Sequence, residues 1–125
     1  MPSPKSYRDL EVWQKSMTLA VAVYRSTADF PKHELYGLTS QMRRAAVSVP
    51  ANIAEGRGRW YRGEFAHHCA IARGSLMELD TYLELAIQLG YARRQTFEPA
   101  IRLADELSRM LTMLIRALQR PQLRS

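Results

Sequence analysis

The sequence has few of the residues on which metal and redox sites most often depend. Cys69 is the only cysteine, and histidine occurs three times, at positions 33, 67 and 68. A single cysteine excludes an intrachain disulfide and a thiolate metal cluster, so we expect Cys69 to be a small buried hydrophobe. Glu64 and His67 form one Glu-x-x-His pair, whereas a di-iron bundle needs a second pair on another helix. We predict no metal and no cofactor.

Sequence signals for membrane insertion and for common catalytic sites are also missing. No apolar run approaches the ~20 residues of a membrane span, and the start MPSPKSYRDL lacks the apolar segment of a secretion signal. Neither GxxxxGK[ST] nor GxGxxG occurs, and Ser48 lacks the strand-turn-helix context of a hydrolase nucleophile. We therefore expect a cytoplasmic protein that is not an enzyme, with no catalytic residues, membrane partner or small-molecule substrate.

Positive charge is what the chain has in excess. Its net charge is +6, and 15 of its 18 basic residues are arginine, which suits bidentate contact with phosphate. Such a balance favours acidic partners such as nucleic acid, although the codon usage of a GC-rich genome would give the same excess of arginine. With 125 residues, 46% apolar and 24% charged, the chain fits one globular domain over residues 1–125.

Helical periodicity and breakers divide the chain into four segments. Glycine- and proline-containing breaks separate predicted helices at about 9–29, 34–56, 63–89 and 97–119, with Asp9 and Thr96 as N-caps. No segment alternates like a strand. Pro50 should kink the second helix and push Val49 away from helical angles. The pattern predicts an all-α, antiparallel up-down-up-down four-helix bundle.

Two of the helices carry more apolar surface than one core face requires. In the first, Trp13, Met17, Ala20 and Tyr24 form one stripe and Val12, Leu19 and Val23 form another. A monomeric bundle needs one stripe per helix, so a broad core face and a subunit interface are both possible. We favour an interface of a ring homo-oligomer, built from the second stripes of helices 1 and 3: Val12, Leu19, Val23, Ile71, Tyr82, Leu85 and Leu89.

A polar seam runs along one edge of the second helix. Its members follow helical spacing: Arg44, Ser48, Asn52 and Glu55. Buried carboxylates are usually paired, so we expect Glu55 and Glu78 to be buried against Arg44 and Arg73 in a structural polar network. A ligand pocket is the alternative.

Two groups of arginines are candidates for nucleic-acid binding. Arg57, Arg59 and Arg62 flank Trp60 and Tyr61 between helices 2 and 3, a combination suited to phosphate contact and base stacking. These aromatics would otherwise cap the end of the bundle. On helix 4, a column recurs every seven residues at Arg102, Arg109 and Arg116. Nearby Asp105 and Glu106 could neutralise part of that column.

Residues 42–56, MRRAAVSVPANIAEG, closely resemble the signature of the 23S rRNA intervening-sequence protein family. YRDLEVW at 7–13, ELYGL at 34–38 and IARGSLMEL at 71–79 extend the resemblance over about residues 7–91. It implies antiparallel four-helix bundles that assemble as five-fold rings, some encoded within 23S rRNA insertions. The family is distantly similar to basic pentameric bundles that assist reverse transcriptases of diversity-generating retroelements. Arg62 stands where relatives usually have a Ser or Thr N-cap.

Together these patterns predict a non-enzymatic oligomeric scaffold, a homopentamer by the resemblance. We expect it to bind structured RNA or DNA through its basic surfaces. The alternative is a protein–protein assembly module without nucleic-acid contact.

Overall fold

A computed structural model describes residues 6–121 of the chain and shows an all-helical structure. The four α-helices are α1 Glu11–Ser26, α2 Leu38–Arg57, α3 Arg62–Gln88 and α4 Arg94–Gln119. Short 3₁₀ turns at Tyr7–Asp9 and Lys32–Glu34 precede α1 and α2. Within residues 6–121 there is no strand. The predicted all-α class with four helices is confirmed.

The helices pack side by side in antiparallel order. Each touches two others, and within the described part of the chain α1 does not contact α3, nor α2 α4. Hydrogen bonds between successive helices pair residues in reverse order: Asn52 with His68 and Ser48 with Ser75 across α2 and α3, Arg73 with Thr112 and Glu84 with Arg94 across α3 and α4. The bundle therefore runs up-down-up-down, with α1 and α3 at opposite corners.

The core face of α1 is the stripe that we had assigned to a subunit interface. Leu19 and Val23 are 0% and 1% exposed, and Val12 is also buried, so these side chains fill the core of the bundle. Met17 and Tyr24, expected in the core, are 40% and 46% exposed. Because both stripes are apolar, periodicity alone does not reveal which one faces inward. The interface assignment of Val12, Leu19 and Val23 is wrong for the intact bundle.

Several helix boundaries differ from the prediction because local hydrogen bonds compete with the helix. The N-cap of α1 is Leu10 rather than Asp9, since Asp9 belongs to the first 3₁₀ turn. Glu34 Oε1 accepts from the N–H of Leu38 at 3.1 Å, so α2 begins four residues later than predicted, and Leu35, which lies before it, is 47% exposed. The N-cap of α4 is Arg93, which places Thr96 inside the first turn.

Pro50 lies inside α2 without interrupting it. Helical geometry continues from Leu38 to Arg57, and both Val49 and Pro50 are buried. The prediction that Val49 leaves helical angles is therefore wrong. The ring of Pro50 removes one amide donor, and close packing of this face against the other helices offsets that loss.

Helices α2 and α3 pack tightly against each other at Gly56. A Cβ added there would lie 2.6 Å from the Cβ of His68 and 3.2 Å from Cδ1 of Phe65, which requires something to shift. Cys69, one residue further along α3, is fully buried as expected, and burial raises the pKa of its thiol to about 12. The thiol is therefore protonated and inert at neutral pH.

A pair of aspartate substitutions tests the corrected core face. Leu19→Asp would bury an unpaired carboxylate in the core and should cost more than about 4 kcal/mol of unfolding free energy. Val47→Asp, at 42% exposure on α2, should change it by less than about 0.5 kcal/mol. Urea unfolding followed by circular dichroism measures both, and equal losses would contradict the assignment of the core face.

Candidate nucleic-acid interface

The connection between α2 and α3 carries the most exposed aromatic pair of this end of the bundle. It spans residues 58–61, with Trp60 93% and Tyr61 71% exposed. Trp60 has a φ of 72°, a left-handed conformation that residues other than Gly, Asn and Asp rarely adopt. Both rings therefore extend into solvent, and the alternative that they cap the bundle end is wrong. Residues held in such sparsely populated conformations cluster at functional sites, so Trp60 is a candidate functional residue.

The arginines beside these rings are anchored by contacts with the bundle. Arg59 Nη2 bonds Glu55 Oε1 at 2.8 Å, one helical turn back on α2. Arg62 Nη2 donates to the carbonyl oxygen of Ala117 at 2.7 Å and so joins the start of α3 to the last turn of α4. Since a guanidinium has five N–H groups, each of these side chains keeps donors for a further acceptor. Arg57 is half-buried in the last turn of α2.

The Glu55–Arg59 pair corrects the predicted burial of Glu55. The Glu55 side chain is 52% exposed, and the hydrogen bond from Arg59 and then the nearby charge of His68 lower its pKa. Glu55 in turn raises the pKa of Arg59. Glu55 is exposed near the end of α2 and therefore pairs with Arg59 in the connection that follows, not with Arg44.

The predicted polar network exists between α2 and α3, but hydroxyl and amide groups form its centre. Asn52 Nδ2 donates to the Ser48 carbonyl and to Ser48 Oγ at 2.9 and 3.0 Å, and Ser75 Oγ lies 2.9 Å from Ser48 Oγ. His68 Nδ1 lies 3.1 Å from Asn52 Oδ1. His68 and Ser75 were not predicted as members, although their helical spacing places both on the same side of α3.

The charged members expected at the centre of this network lie elsewhere. Arg73 donates to Thr112 Oγ1 on α4 at 3.1 Å, instead of pairing with Glu78. Within residues 6–121, Arg44 and Glu78 form no ion pair, and both are exposed at the rim of a groove between α2 and α3. The predicted pairing of Glu55 and Glu78 with Arg44 and Arg73 is therefore wrong.

The arginine column of α4 is neutralised over most of its length. Arg102 pairs with Glu98 at 3.3 Å and Arg109 pairs with Asp105, each one helical turn away. Arg116 forms no ion pair with any described residue, and it lies beside Ala117, the residue that Arg62 contacts. Within this column, the arginine without an ion pair therefore lies in the turn of α4 that Arg62 contacts.

Helices α1 and α3 each carry a set of exposed apolar side chains. On α3, Ile71, Leu85 and Leu89 are 40%, 45% and 50% exposed and Tyr82 is half-buried, so these interface candidates are accessible to a partner. On α1, the accessible apolar residues are Met17, Val21 and Tyr24. Sequence reasoning missed the α1 set because it placed Met17 and Tyr24 in the core.

Neither a metal site nor a membrane-spanning helix is found among the described residues. Among residues 6–121, no three side chains of histidine, cysteine or acid type converge as metal ligands, and Glu64 and His67 are both exposed. No helix in this range has the length and apolar character required to cross a bilayer.

Residues 8–113 match the family described as 23S rRNA-intervening sequence protein. Among solved structures, the chain is similar to a protein of unknown function from the S23 ribosomal protein family of Bacteroides thetaiotaomicron, determined at 1.70 Å resolution. The two share 26% sequence identity with a TM-score of 0.75, covering 84% of this chain and 98% of the other. No curated protein sequence matches the chain.

The strained backbone of Trp60 gives a stability prediction. Trp60→Gly removes a side chain that packs on little and relieves the left-handed strain, so it should stabilise the protein by up to about 1 kcal/mol. Tyr61→Gly, at an extended φ of −102°, should instead destabilise by a similar amount because glycine loses more backbone entropy on folding. Chemical denaturation of both variants measures this, and a clear loss of stability in Trp60→Gly would contradict the strain.

Proposed function

The chain belongs to the 23S rRNA-intervening sequence protein family, and from this premise we propose that it is a non-enzymatic oligomeric scaffold that binds nucleic acid. Single-stranded segments of structured RNA are the form of nucleic acid that its surface suits best. The contact surface is the Trp60 platform, which we define as Trp60 and Tyr61 with Arg59, Arg62 and Arg116 around them.

The observation that carries the proposal is the exposure of Trp60 at 93% on a left-handed backbone. A soluble protein gains nothing in stability from such a side chain, whereas a nucleic acid offers unstacked bases that pack on an aromatic face. Tyr61 provides a second ring beside it. Base stacking on aromatics is the main contact by which proteins bind single strands without strict sequence preference.

The charges around the platform support phosphate contact. Arg59 and Arg62 hold fixed positions through Glu55 and Ala117, so their remaining N–H groups are oriented without loss of much side-chain entropy. Arg116 adds a positive charge that no described carboxylate neutralises. The net charge of +6 favours association with any polyanion, and we expect the polyanion to bind at these three arginines.

We further propose that the subunits form a ring through two different apolar faces. Met17, Val21 and Tyr24 lie on α1, and Ile71, Leu85 and Leu89 lie on α3, at opposite corners of the bundle. When one face of a subunit docks on a different face of the next, the contact is heterologous and closes into a ring if the rotation allows. A ring would repeat the Trp60 platform in every subunit, so weak contacts would add through multivalency.

A protein–protein assembly module without nucleic-acid contact is the second candidate. The α1 face favours it, because an exposed apolar set of this kind often marks a protein interface. Tryptophan and arginine are also the residues most enriched at the centres of protein interfaces. Nucleic-acid binding by the wild-type protein separates the two candidates.

Light scattering tests the ring. Wild-type protein at micromolar concentration should have a mass several times that of one chain. Met17→Asp combined with Val21→Asp should lower this mass while the helical content stays unchanged, because both side chains lie outside the core. Met113→Asp, an equivalent change at a residue 71% exposed on α4, should leave the mass unaltered. A monomeric wild type would refute the ring.

Fluorescence anisotropy with a labelled single-stranded RNA tests the platform. Affinity should fall with salt at a log-log slope of about −0.7 per phosphate neutralised, and Trp60→Ala should weaken binding by about 1–3 kcal/mol. Arg62→Gln with Arg116→Gln, neither of which has an ion pair with a described residue, should flatten the slope.

Arg102→Gln with Arg109→Gln is the matched control, since it removes the same charge from arginines that are already paired. If both double variants change the slope equally, binding follows overall charge and the platform is wrong. If the wild type binds no RNA or DNA at low salt, the protein–protein module takes its place.

A further inference from the structure

A small pocket at the other end of the bundle has the composition of an anion site. It has a volume of about 110 Å³ and lies where the end of α1 and the second 3₁₀ turn meet the start of α2. Thr27, Phe30, Lys32, Thr39 and Arg43 contribute to its wall. Thr39 and Arg57 are 18 residues apart on α2, which is about 27 Å along a helix, so the pocket is remote from the Trp60 platform.

Thr39 provides the first independent indication of a ligand. Its side chain is 3% exposed, and its hydroxyl oxygen is the one buried side-chain polar atom without a hydrogen-bond partner in residues 6–121. A buried hydroxyl without a partner is costly, typically by about 1–3 kcal/mol. Because Thr39 also lines the pocket, rotation about its χ1 bond can turn the hydroxyl towards an acceptor placed there.

Arg43 is the second indication, because its guanidinium is held in place with donors to spare. Nε donates to Thr27 Oγ1 at 3.0 Å, and the guanidinium carbon lies 4.7 Å from the centroid of the Tyr24 ring. The Thr27 hydroxyl is itself fixed, since it donates to the carbonyl of Val23 at 2.9 Å. These contacts leave the two Nη groups of Arg43 without a partner among the described residues.

The charge of the pocket is uncompensated. Lys32 and Arg43 both line it, no carboxylate does, and neither cation forms an ion pair within residues 6–121. Glu34, the nearest acid in sequence to Lys32, is held away by Tyr91 at 2.7 Å and by the N–H of Leu38 at 3.1 Å. Thr39 also lies in the first turn of α2, where the helix dipole adds partial positive charge.

We propose that this pocket binds a dianionic phosphate group, either inorganic phosphate or the terminal phosphate of a small phosphomonoester. The Nη groups of Arg43 and the ammonium of Lys32 would contact its oxygens, and the Thr39 hydroxyl would donate to one of them. Phe30, Pro31 and Leu35 provide apolar walls that limit the size of the ligand. This site does not depend on nucleic-acid binding at the Trp60 platform.

Thermal unfolding with inorganic phosphate tests the site. At constant ionic strength and neutral pH, replacing chloride by phosphate should raise the melting temperature by a few degrees, with a rise that grows with the logarithm of concentration. Lys32→Gln and Arg43→Gln should each weaken phosphate binding by about tenfold. Arg44→Gln, one residue along α2 and outside the pocket, is the matched control and should keep the full response.

Thr39→Val separates a ligand role from a packing defect. It keeps the shape of the side chain, so the protein in chloride should be at least as stable as wild type, while its phosphate response shrinks. If Arg43→Gln does not fold, the phosphate responses of Lys32→Gln and Thr39→Val test the site instead. Adenosine 5′-monophosphate compared with inorganic phosphate then shows which phosphate source binds more tightly, with adenosine as the control that lacks a phosphate. No phosphate response in wild type, or a full response in the pocket variants, would overturn the proposal.

Discussion

The close approach of α2 and α3 at Gly56 is the constraint on which the candidate interface depends. Only glycine fits where an added Cβ would meet the Cβ of His68 at 2.6 Å. The two helices are therefore near enough for Ser48, Asn52 and Ser75 to form one hydrogen-bonded network. The same proximity leaves a connection of only residues 58–61 between them. A connection this short turns sharply, and Trp60 takes the left-handed conformation that directs its ring into solvent.

Local pairing decides where the excess positive charge of the chain can act. Arg59, Arg94, Arg102 and Arg109 each have a carboxylate partner, so part of the positive charge of the α2–α3 connection and of α4 is compensated locally. Two of the groups without an ion pair lie at the candidate sites. One is Arg62 and Arg116, near the α2–α3 connection, and the other is Lys32 and Arg43, around the small pocket. Net charge alone would not have distinguished these ends from the arginine column between them.

Helix number, helix order and the exposure of the α3 apolar stripe could be predicted from the sequence, because periodicity and glycine breaks are local signals. The inward face of α1 could not, since Val12–Leu19–Val23 and Met17–Tyr24 are equally apolar and only the neighbouring helices decide between them. The partner of Glu55 was also wrong, because Arg59, just beyond the end of α2, lies closer to Glu55 than Arg44 does. The pocket around Thr39 combines residues of three elements, so no single segment of the sequence predicts it.

The central claim is that Trp60 stacks on nucleic acid, and the two tryptophans of the chain allow a direct test. Each indole N–H gives one signal in a proton–nitrogen correlation spectrum, and Trp13 serves as the internal reference because it packs edge-on against Tyr7 at 5.2 Å. During titration with single-stranded RNA, the Trp60 signal should shift progressively and by more than that of Trp13. A Trp60 signal that stays in place at saturating RNA would contradict the account.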